Sequence, residues 1–373
     1  NSYLNGGYSK LGFLLYPFIK DISGDNVVRM IRLNRVSKLL NKKHDFSKSL
    51  DVFSKGVNSS NFPYLLSSLY VDFSNIKTYK MKKVIKKKCD EVEFDKYDPK
   101  DYTFIQPLND LIDFSNKYLK KYLKGFYVHG SLATNDYVKG WSDLDTFGVV
   151  SKVTVNNPKK LIQLRGKIYS MRKFFLKVDP LQHHGSIFVT EYDLQRYCNS
   201  YFPIEVLKYS KSLITDNVSE ICIRPDLGES LKKLFWFVSY FRKLKIENNR
   251  RLGSYDLKFL FHAITLFPTL YLSCKGDYVY KKYSFDLARK DFSEKEWRVI
   301  IKVENIRKGW DYVSLLKDIR NFSSHNPPMS YYLNSKINDL FYDLIKINKI
   351  NLKELVDGIY TLSEKGWSNL SAK

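Results

Sequence analysis

Apolar positions along the chain follow two periods, one helical and one extended. Over residues 101–124 they recur at helical spacing, which predicts an amphipathic helix that Gly125 stops. Shorter apolar or alternating runs predict strands, and a longer amphipathic run predicts a second helix. The predicted strands are 126–128, 143–150 and 186–190, and the second helix is 158–175. The order strand, loop, strand, helix, strand indicates a small α/β unit.

The second half of the chain has a mainly helical pattern. Long amphipathic stretches at 227–246 and 254–272 predict helices, and the helical pattern continues toward the C-terminus. The lysine run at 80–88 either contacts phosphates or forms a solvated face. We therefore expect three regions: a basic, aromatic-rich region of unknown role at 1–100, an α/β region at 101–210 and a helical region at 211–373.

The chain is strongly basic. Its 373 residues include 62 Lys and Arg against 39 Asp and Glu, which gives a formal net charge of +23. Such a charge attracts polyanions, among them nucleoside triphosphates, RNA and anionic membranes. A compositional bias of the genome gives the same charge without any such partner, so charge alone does not identify what the chain binds.

The cysteines and the apolar runs indicate a cytoplasmic protein. Four cysteines lie far apart without C-x-x-C spacing, which predicts neither a disulfide framework nor a thiolate zinc site and fits a reducing compartment. The longest apolar stretch, 259–272, is interrupted by polar residues and by Pro268. We therefore expect no transmembrane segment and no membrane partner.

Two aspartates one residue apart, Asp143 and Asp145, carry the candidate chemistry. On a strand they point to the same face, while Leu144 packs into the core behind them. Paired carboxylates suit Mg²⁺, or Mn²⁺ in its place, because these ions take oxygen ligands together with substrate phosphates. Gly130 and Ser131 complement them, since a glycine lets the backbone approach a phosphate that N–H groups and a hydroxyl then hold.

The order of these residues resembles the signature of the DNA polymerase β-like nucleotidyltransferases. That signature is a hydrophobic residue, Gly-Ser, a spacer of about a dozen residues, and Asp-x-Asp on the next strand. The chain has Val128-His129-Gly130-Ser131, the spacer 132–142, and then Asp143-Leu144-Asp145. The resemblance covers roughly residues 105–200, and several elements agree in their order.

The resemblance implies both a fold and an activity. The fold is a nucleotidyltransferase core of the α/β or α+β class with a mixed sheet, followed by a mainly α-helical domain. The activity is Mg²⁺-dependent transfer of a nucleoside monophosphate from a nucleoside triphosphate (NTP) to a hydroxyl, with release of pyrophosphate. Asp143 and Asp145 would bind the metal, and Gly130 and Ser131 would bind phosphate. The acceptor stays open between an RNA 3′ end, a small molecule and a protein, as does the oligomeric state.

The same resemblance assigns roles to residues outside the signature. Family members place a third carboxylate on the third strand, where it completes the metal site or acts as general base. Here His184 stands at the entrance of that strand, with Asp179 upstream and Glu191 downstream as further candidates. Helical domains of such proteins also bring a basic residue to the triphosphate, and Lys281 and Lys282 fit that description.

Two other functions stay open. Arg320 and His325 resemble the R-x4-H signature of HEPN ribonucleases, in which arginine stabilises phosphate charge and histidine transfers protons. Alternatively, the chain keeps a nucleotidyltransferase fold without its third carboxylate and binds RNA through its basic surface without catalysis.

Overall fold

The computed structural model of the protein shows a small mixed sheet and many helices in an α+β arrangement. It describes residues 15, 18, 33–35, 37–42, 44–56, 58–75, 83–87, 89–179, 182, 185–200, 202–214, 219–226, 228–247, 252, 254–310 and 349–371. Within these segments the strands are β1 (Lys83–Lys87), β2 (Leu123–His129), β3 (Asp145–Val150), β4 (Ile187–Thr190), β5 (Lys211–Ser212) and β6 (Ser219–Ile223).

Helices account for most of the regular structure in the described segments. In the first two thirds they are α1 (Ser47–Ser54), α2 (Phe62–Ser74), α3 (Tyr102–Phe114), α4 (Lys152–Val155), α5 (Pro158–Val178), α6 (Glu191–Leu194) and α7 (Glu205–Lys208). The remainder are α8 (Glu229–Ile246), α9 (Ser254–Cys274), α10 (Lys281–Arg289), α11 (Glu294–Lys308) and α12 (Leu352–Ser371). The predicted helices at 158–175, 227–246 and 254–272 are confirmed as α5, α8 and α9, with small shifts at their ends.

The main sheet has the strand order β4-β3-β2-β5. β2 pairs antiparallel with β3 and with β5, whereas β3 and β4 run parallel, so the predicted mixed sheet is confirmed. The parallel pair needs a crossover connection, which contains α5. β1 and β6 pair antiparallel in a separate two-stranded sheet.

Alternate residues of the strands pack on opposite faces of the main sheet, as a period of two requires. Phe126 and Val128 belong to a large cluster that includes residues of α2, α3 and α5. Tyr127 and Phe147 belong to a smaller cluster on the other face. Leu66 of α2 lies in the large cluster, so part of the 1–100 region contributes to the core around the sheet.

Gly125 lies inside β2, and the prediction that it stops the preceding helix is wrong. α3 ends at Phe114, the π-helical turn Ser115–Leu119 follows, and the pairing of β2 with β3 shifts register between Leu123 and Gly125. A Cβ at Gly125 would lie 2.2 Å from the hydroxyl oxygen of Tyr127. The glycine is therefore required by a close approach within the strand.

The helices from α8 to α12 surround a core of their own. Trp141, which precedes β3 in the chain, is buried in that core. Its ring lies 5.8 Å from the ring of Phe261 and 5.0 Å from the ring of Trp310. We call the region from α8 to α12 the helical half. The segment that leads into β3 is therefore packed directly against the helical half.

The apolar stretch of α9 serves as the centre of the helical core. Its residues Asp256–Cys274 are long and apolar enough, by length and composition, to cross a membrane. However, 78% of that window is buried against the rest of the protein. Burial of this kind is typical of a core helix.

Candidate active site

Asp145 is the first residue of β3 and Asp143 lies two residues before it; both are half-buried, while Leu144 between them is fully buried. This alternation agrees with the predicted placement of the two carboxylates on one face. Gln182 fixes the backbone between them, because its side-chain amide donates to the carbonyl of Leu144 at 2.8 Å and accepts from the Leu144 N–H at 3.4 Å. The Asp-Leu-Asp segment therefore has a defined conformation.

Gly130 brings the end of β2 against Asp145. His129, the last residue of β2, pairs with Asp145 across the sheet. Gly130 then takes a left-handed conformation with φ +74° and begins the 3-10 turn Gly130–Leu132. A Cβ on Gly130 would lie 2.7 Å from Oδ2 of Asp145. Only glycine allows the turn to approach the carboxylate this closely.

Ser131 lies next to the residue that precedes the aspartates. Its hydroxyl donates to Oγ of Ser142 at 2.9 Å, and the same Ser142 oxygen accepts from the N–H of Val138 at 2.9 Å. The glycine-serine turn and the Asp-x-Asp segment are thus joined by side-chain hydrogen bonds as well as by strand pairing. The structure brings together the four residues that the sequence singled out.

Lys281, the first residue of α10, carries a charge that acts on both aspartates. Its ammonium donates to Oγ1 of Thr265 at 2.8 Å. Burial and, to a smaller extent, the positive charge of Arg307 lower the pKa of Lys281 to about 7, against the opposing effect of Asp143 and Asp145. The side chain therefore stands close enough to the carboxylates for direct electrostatic interaction.

Lys282 points to a different acidic residue in the loop between β2 and β3. Its ammonium lies 3.2 Å from a carboxylate oxygen of Asp136, and both side chains are exposed. This surface ion pair contributes little to stability. It does, however, connect the start of α10 with the loop that follows the Gly130 turn.

Arg307 of α11 is a site residue that the sequence analysis did not identify. Its guanidinium lies 5.4 Å from the centre of the Trp141 ring. Burial lowers the pKa of Arg307, while the negative charges of Asp143, Glu304 and Asp136 oppose the shift. No local sequence pattern distinguishes this arginine, because its proximity to Asp143 arises from the packing of α11 against the segment before β3.

Tyrosines line the site on the side of α10. Tyr280 interacts with Thr134 through a side-chain hydrogen bond and with the charges of Asp136 and Asp145, and burial raises its pKa to about 12. Its ring stacks on that of Tyr209 at 4.8 Å. Tyr280 directly precedes Lys281 in the sequence, so its neighbourhood could have been inferred from the lysine.

Asp179, proposed from the sequence as a third carboxylate, is almost completely buried at 1% exposure. Its Oδ2 lies 2.5 Å from the ammonium of Lys258, which also donates to the carbonyl of Trp141 at 2.9 Å. A buried carboxylate paired with lysine is held as a structural anion. This geometry favours a positioning role for Asp179 over that of a general base.

The remaining candidates on the third strand do not supply a carboxylate beside Asp145 within the described residues. His184 lies outside them. Glu191, after β4, accepts from the N–H of Lys152 at 2.6 Å and so serves the start of α4. Ile187 pairs with Phe147, so Gly185 precedes Ile187 by the same two residues by which Asp145 precedes Phe147. Gly185 has no side chain to offer there, and a Cβ at this position would meet nothing within 4 Å.

The donor set fits a hard cation held partly by its substrate. Across the described segments, no group of three or more His, Cys, Asp or Glu side chains forms a metal site. Mg²⁺ is commonly bound by one or two carboxylates together with substrate phosphates, so Asp143 and Asp145 are sufficient protein ligands. Gly130 brings backbone next to Asp145 with no side chain between them, which is the arrangement that lets a glycine turn approach a phosphate.

Comparison of the sequence with known families and proteins identifies no relative of the chain. No protein-family model matches the chain, and no curated protein matches it. Arg320 and His325, which resemble the HEPN signature, lie outside the described residues.

Proposed function

We propose that the chain is a DNA polymerase β-like nucleotidyltransferase that transfers a nucleoside monophosphate from an NTP to a hydroxyl group. One observation carries the proposal: Asp145 stands beside the glycine turn at Gly130, and both Asp143 and Asp145 interact with Lys281 from the helical half. Nucleotidyl transfer requires carboxylates for a metal and donors for a triphosphate at one place. This site combines both.

Each group has a role that follows from its charge and position. Asp143 and Asp145 would hold Mg²⁺, which would supply positive charge to the phosphates and favour the ionised form of the attacking hydroxyl. The N–H groups of the turn and the Ser131 hydroxyl hold phosphate oxygens. Lys281 and Arg307 stabilise the negative charge that develops on the departing pyrophosphate.

The reaction is an in-line displacement at phosphorus. The acceptor oxygen forms a bond to the α-phosphorus, and the bond between that phosphorus and the oxygen leading to the β-phosphate breaks. Pyrophosphate leaves with the bonding electron pair, and the hydroxyl proton is released to water. Asp179 contributes indirectly, because its pairing with Lys258 holds the segment at Trp141 that leads to Asp143.

Transfer of label from α-labelled NTPs tests the proposal. Each NTP is incubated with the protein, Mg²⁺ and either total RNA or a metabolite extract, and label is sought in every fraction. Asp143→Asn and Asp145→Asn each remove a metal ligand, and we expect transfer to fall by at least about 100-fold, or roughly 3 kcal/mol of transition-state stabilisation.

Asp113→Asn is the matched control. Asp113 is exposed on α3, and the substitution removes the same charge without approaching the site. It should leave transfer unchanged. Absence of label in every fraction, or full transfer by an Asp143→Asn/Asp145→Asn double variant, contradicts the proposed activity.

A further inference from the structure

The outer side of α5 is a basic surface. The helix contains seven basic residues and no acidic one: Lys159, Lys160, Arg165, Lys167, Arg172, Lys173 and Lys177. Its apolar residues are buried in the core beneath the main sheet: Leu161, Leu164, Ile168, Met171, Phe174, Phe175 and Val178. The apolar side of α5 is thus occupied, and the charged side faces outward.

A second basic segment lies beside α5. Residues 115–124 contain four lysines, at 117, 120, 121 and 124, and no acidic residue. The ring of Tyr118 joins the two elements, because the ammonium of Lys167 lies 4.9 Å from its centre and that of Lys117 lies 5.3 Å from it. The Tyr122 hydroxyl also donates to Gln163 of α5 at 3.0 Å. We call the surface formed by 117–124 and the outer side of α5 the Tyr118 surface.

Three lysines of the Tyr118 surface have positive charge that no ion pair with a described residue compensates. Lys117, Lys121 and Lys167 form no ion pair with any described residue, and Lys177 reaches Asp110 only at 3.9 Å. Like charges brought together repel each other, and the electron-rich face of a tyrosine offsets only part of this repulsion. A bound polyanion would compensate the charge.

We propose that the Tyr118 surface binds the phosphate backbone of single-stranded nucleic acid. Clustered lysines among tyrosines are suited to such strands, which combine regularly spaced phosphates with bases that can pack on rings. An anionic membrane is a poorer fit, because a helix that lies on a membrane inserts an apolar face and that of α5 is already buried. The proposal is independent of nucleotidyl transfer, since it involves neither Asp143 nor Asp145.

Salt-dependent binding of labelled 20-nucleotide oligouridylate and oligothymidylate tests this surface. The variant Lys117→Gln/Lys121→Gln/Lys167→Gln removes three cations, and the slope of log K against log salt falls by about 0.7 for each phosphate of a single strand that is no longer neutralised. We expect the slope to fall by about 2 and binding to weaken at low salt. The two oligonucleotides separate RNA from DNA.

The control variant removes the same amount of charge elsewhere. Lys290, Lys295 and Lys353 are exposed on the helical half, and the triple Lys→Gln variant at these positions should bind like the wild type. Equal weakening in both variants would assign binding to overall charge and overturn the proposal. So would a wild type that binds phosphatidylserine vesicles but neither oligonucleotide.

The catalytic variant keeps this test separate from the proposed activity. Asp143→Asn/Asp145→Asn should bind the oligonucleotides at least as tightly as the wild type while losing transfer. Transfer without oligonucleotide binding overturns the Tyr118 surface alone, and binding without transfer overturns the proposed activity alone.

Discussion

At the scale of single residues, Gly130 is the most constrained position in the site. Its φ of +74° strains any other residue by about 1–2 kcal/mol, and an added Cβ would lie 2.7 Å from Oδ2 of Asp145. We expect Gly130→Ala to displace that carboxylate, lower the free energy of unfolding by about 1–2 kcal/mol and reduce nucleotidyl transfer at least about tenfold. Chemical denaturation and the labelled-NTP assay measure the two effects.

Gly166 provides the comparison for this substitution. It lies within α5 in an ordinary helical conformation, and a Cβ there would meet nothing within 4 Å. Gly166→Ala should raise the free energy of unfolding by about 0.5–1 kcal/mol and leave transfer unchanged. If Gly130→Ala behaves in the same way, the close approach to Asp145 is not essential.

Local spacing predicts residues of this site only where they are near one another in the sequence. Gly130, Ser131 and the aspartates follow from the sequence pattern, because they lie at the end of one predicted strand and the start of the next, and consecutive strands that pair antiparallel bring these ends together. Thr265 and Arg307 reach the site through helix packing, which leaves no local pattern. Asp179 shows the opposite case. Its place in the sequence, just before the third predicted strand, suggested an active-site carboxylate, but in the structure it is paired with the buried Lys258.

At the scale of elements, the pair between Lys258 and Asp179 joins α9 to the end of α5. Both side chains are buried, at 6% and 1% exposure, and their charged atoms lie 2.5 Å apart. Removing one partner leaves a buried charge without its counter-ion, which costs about 3–5 kcal/mol. We therefore expect Lys258→Met to destabilise the protein by that amount in chemical denaturation.

A double variant separates charge from packing at this contact. Asp179→Leu/Lys258→Met replaces the pair by apolar side chains and should recover most of the lost stability, because buried ion pairs are often no more stabilising than packed apolar residues. The exposed pair of Asp51 and Lys55 serves as the comparison. Asp51→Asn should lower the free energy of unfolding by less than about 1 kcal/mol. A double variant as unstable as Lys258→Met alone would contradict this account.

The elements themselves were predictable wherever one period extended over a long stretch. α5, α8 and α9 have amphipathic or apolar runs of helical length, and β2 and β3 are short runs of mostly buried residues. The boundary at Gly125 was not predictable, because this glycine serves a contact with Tyr127 that exists only once β2 has formed. A glycine that follows a helical pattern predicts the end of the helix at that position, even where the helix ends elsewhere.

At the scale of the whole molecule, the site lies where the helical half meets the sheet. Asp145 is the first residue of β3 and Asp143 lies just before it, whereas Lys281 and Arg307 belong to α10 and α11. A triphosphate bound to both groups would link the halves and stabilise the folded protein by mass action, by about 2.7 kcal/mol at a ligand concentration 100 times its Kd. Thermal unfolding with and without Mg²⁺ and NTP measures this shift.

The pH dependence of that stabilisation identifies the contribution of Lys281. Its pKa lies below the ordinary lysine value of 10.5, at about 7, so the unliganded ammonium loses its proton as the pH rises through 7. Triphosphate binding favours the charged form, and we expect the stabilisation by NTP to be larger at pH 6 than at pH 8.5.

Lys281→Arg keeps its positive charge throughout this range. The smaller pH dependence that remains in this variant comes from titration of the nucleotide itself and is subtracted from that of the wild type. Lys290→Arg, at the exposed end of α10, should behave like the wild type. An equal pH dependence in all three proteins would mean that Lys281 does not contact the triphosphate.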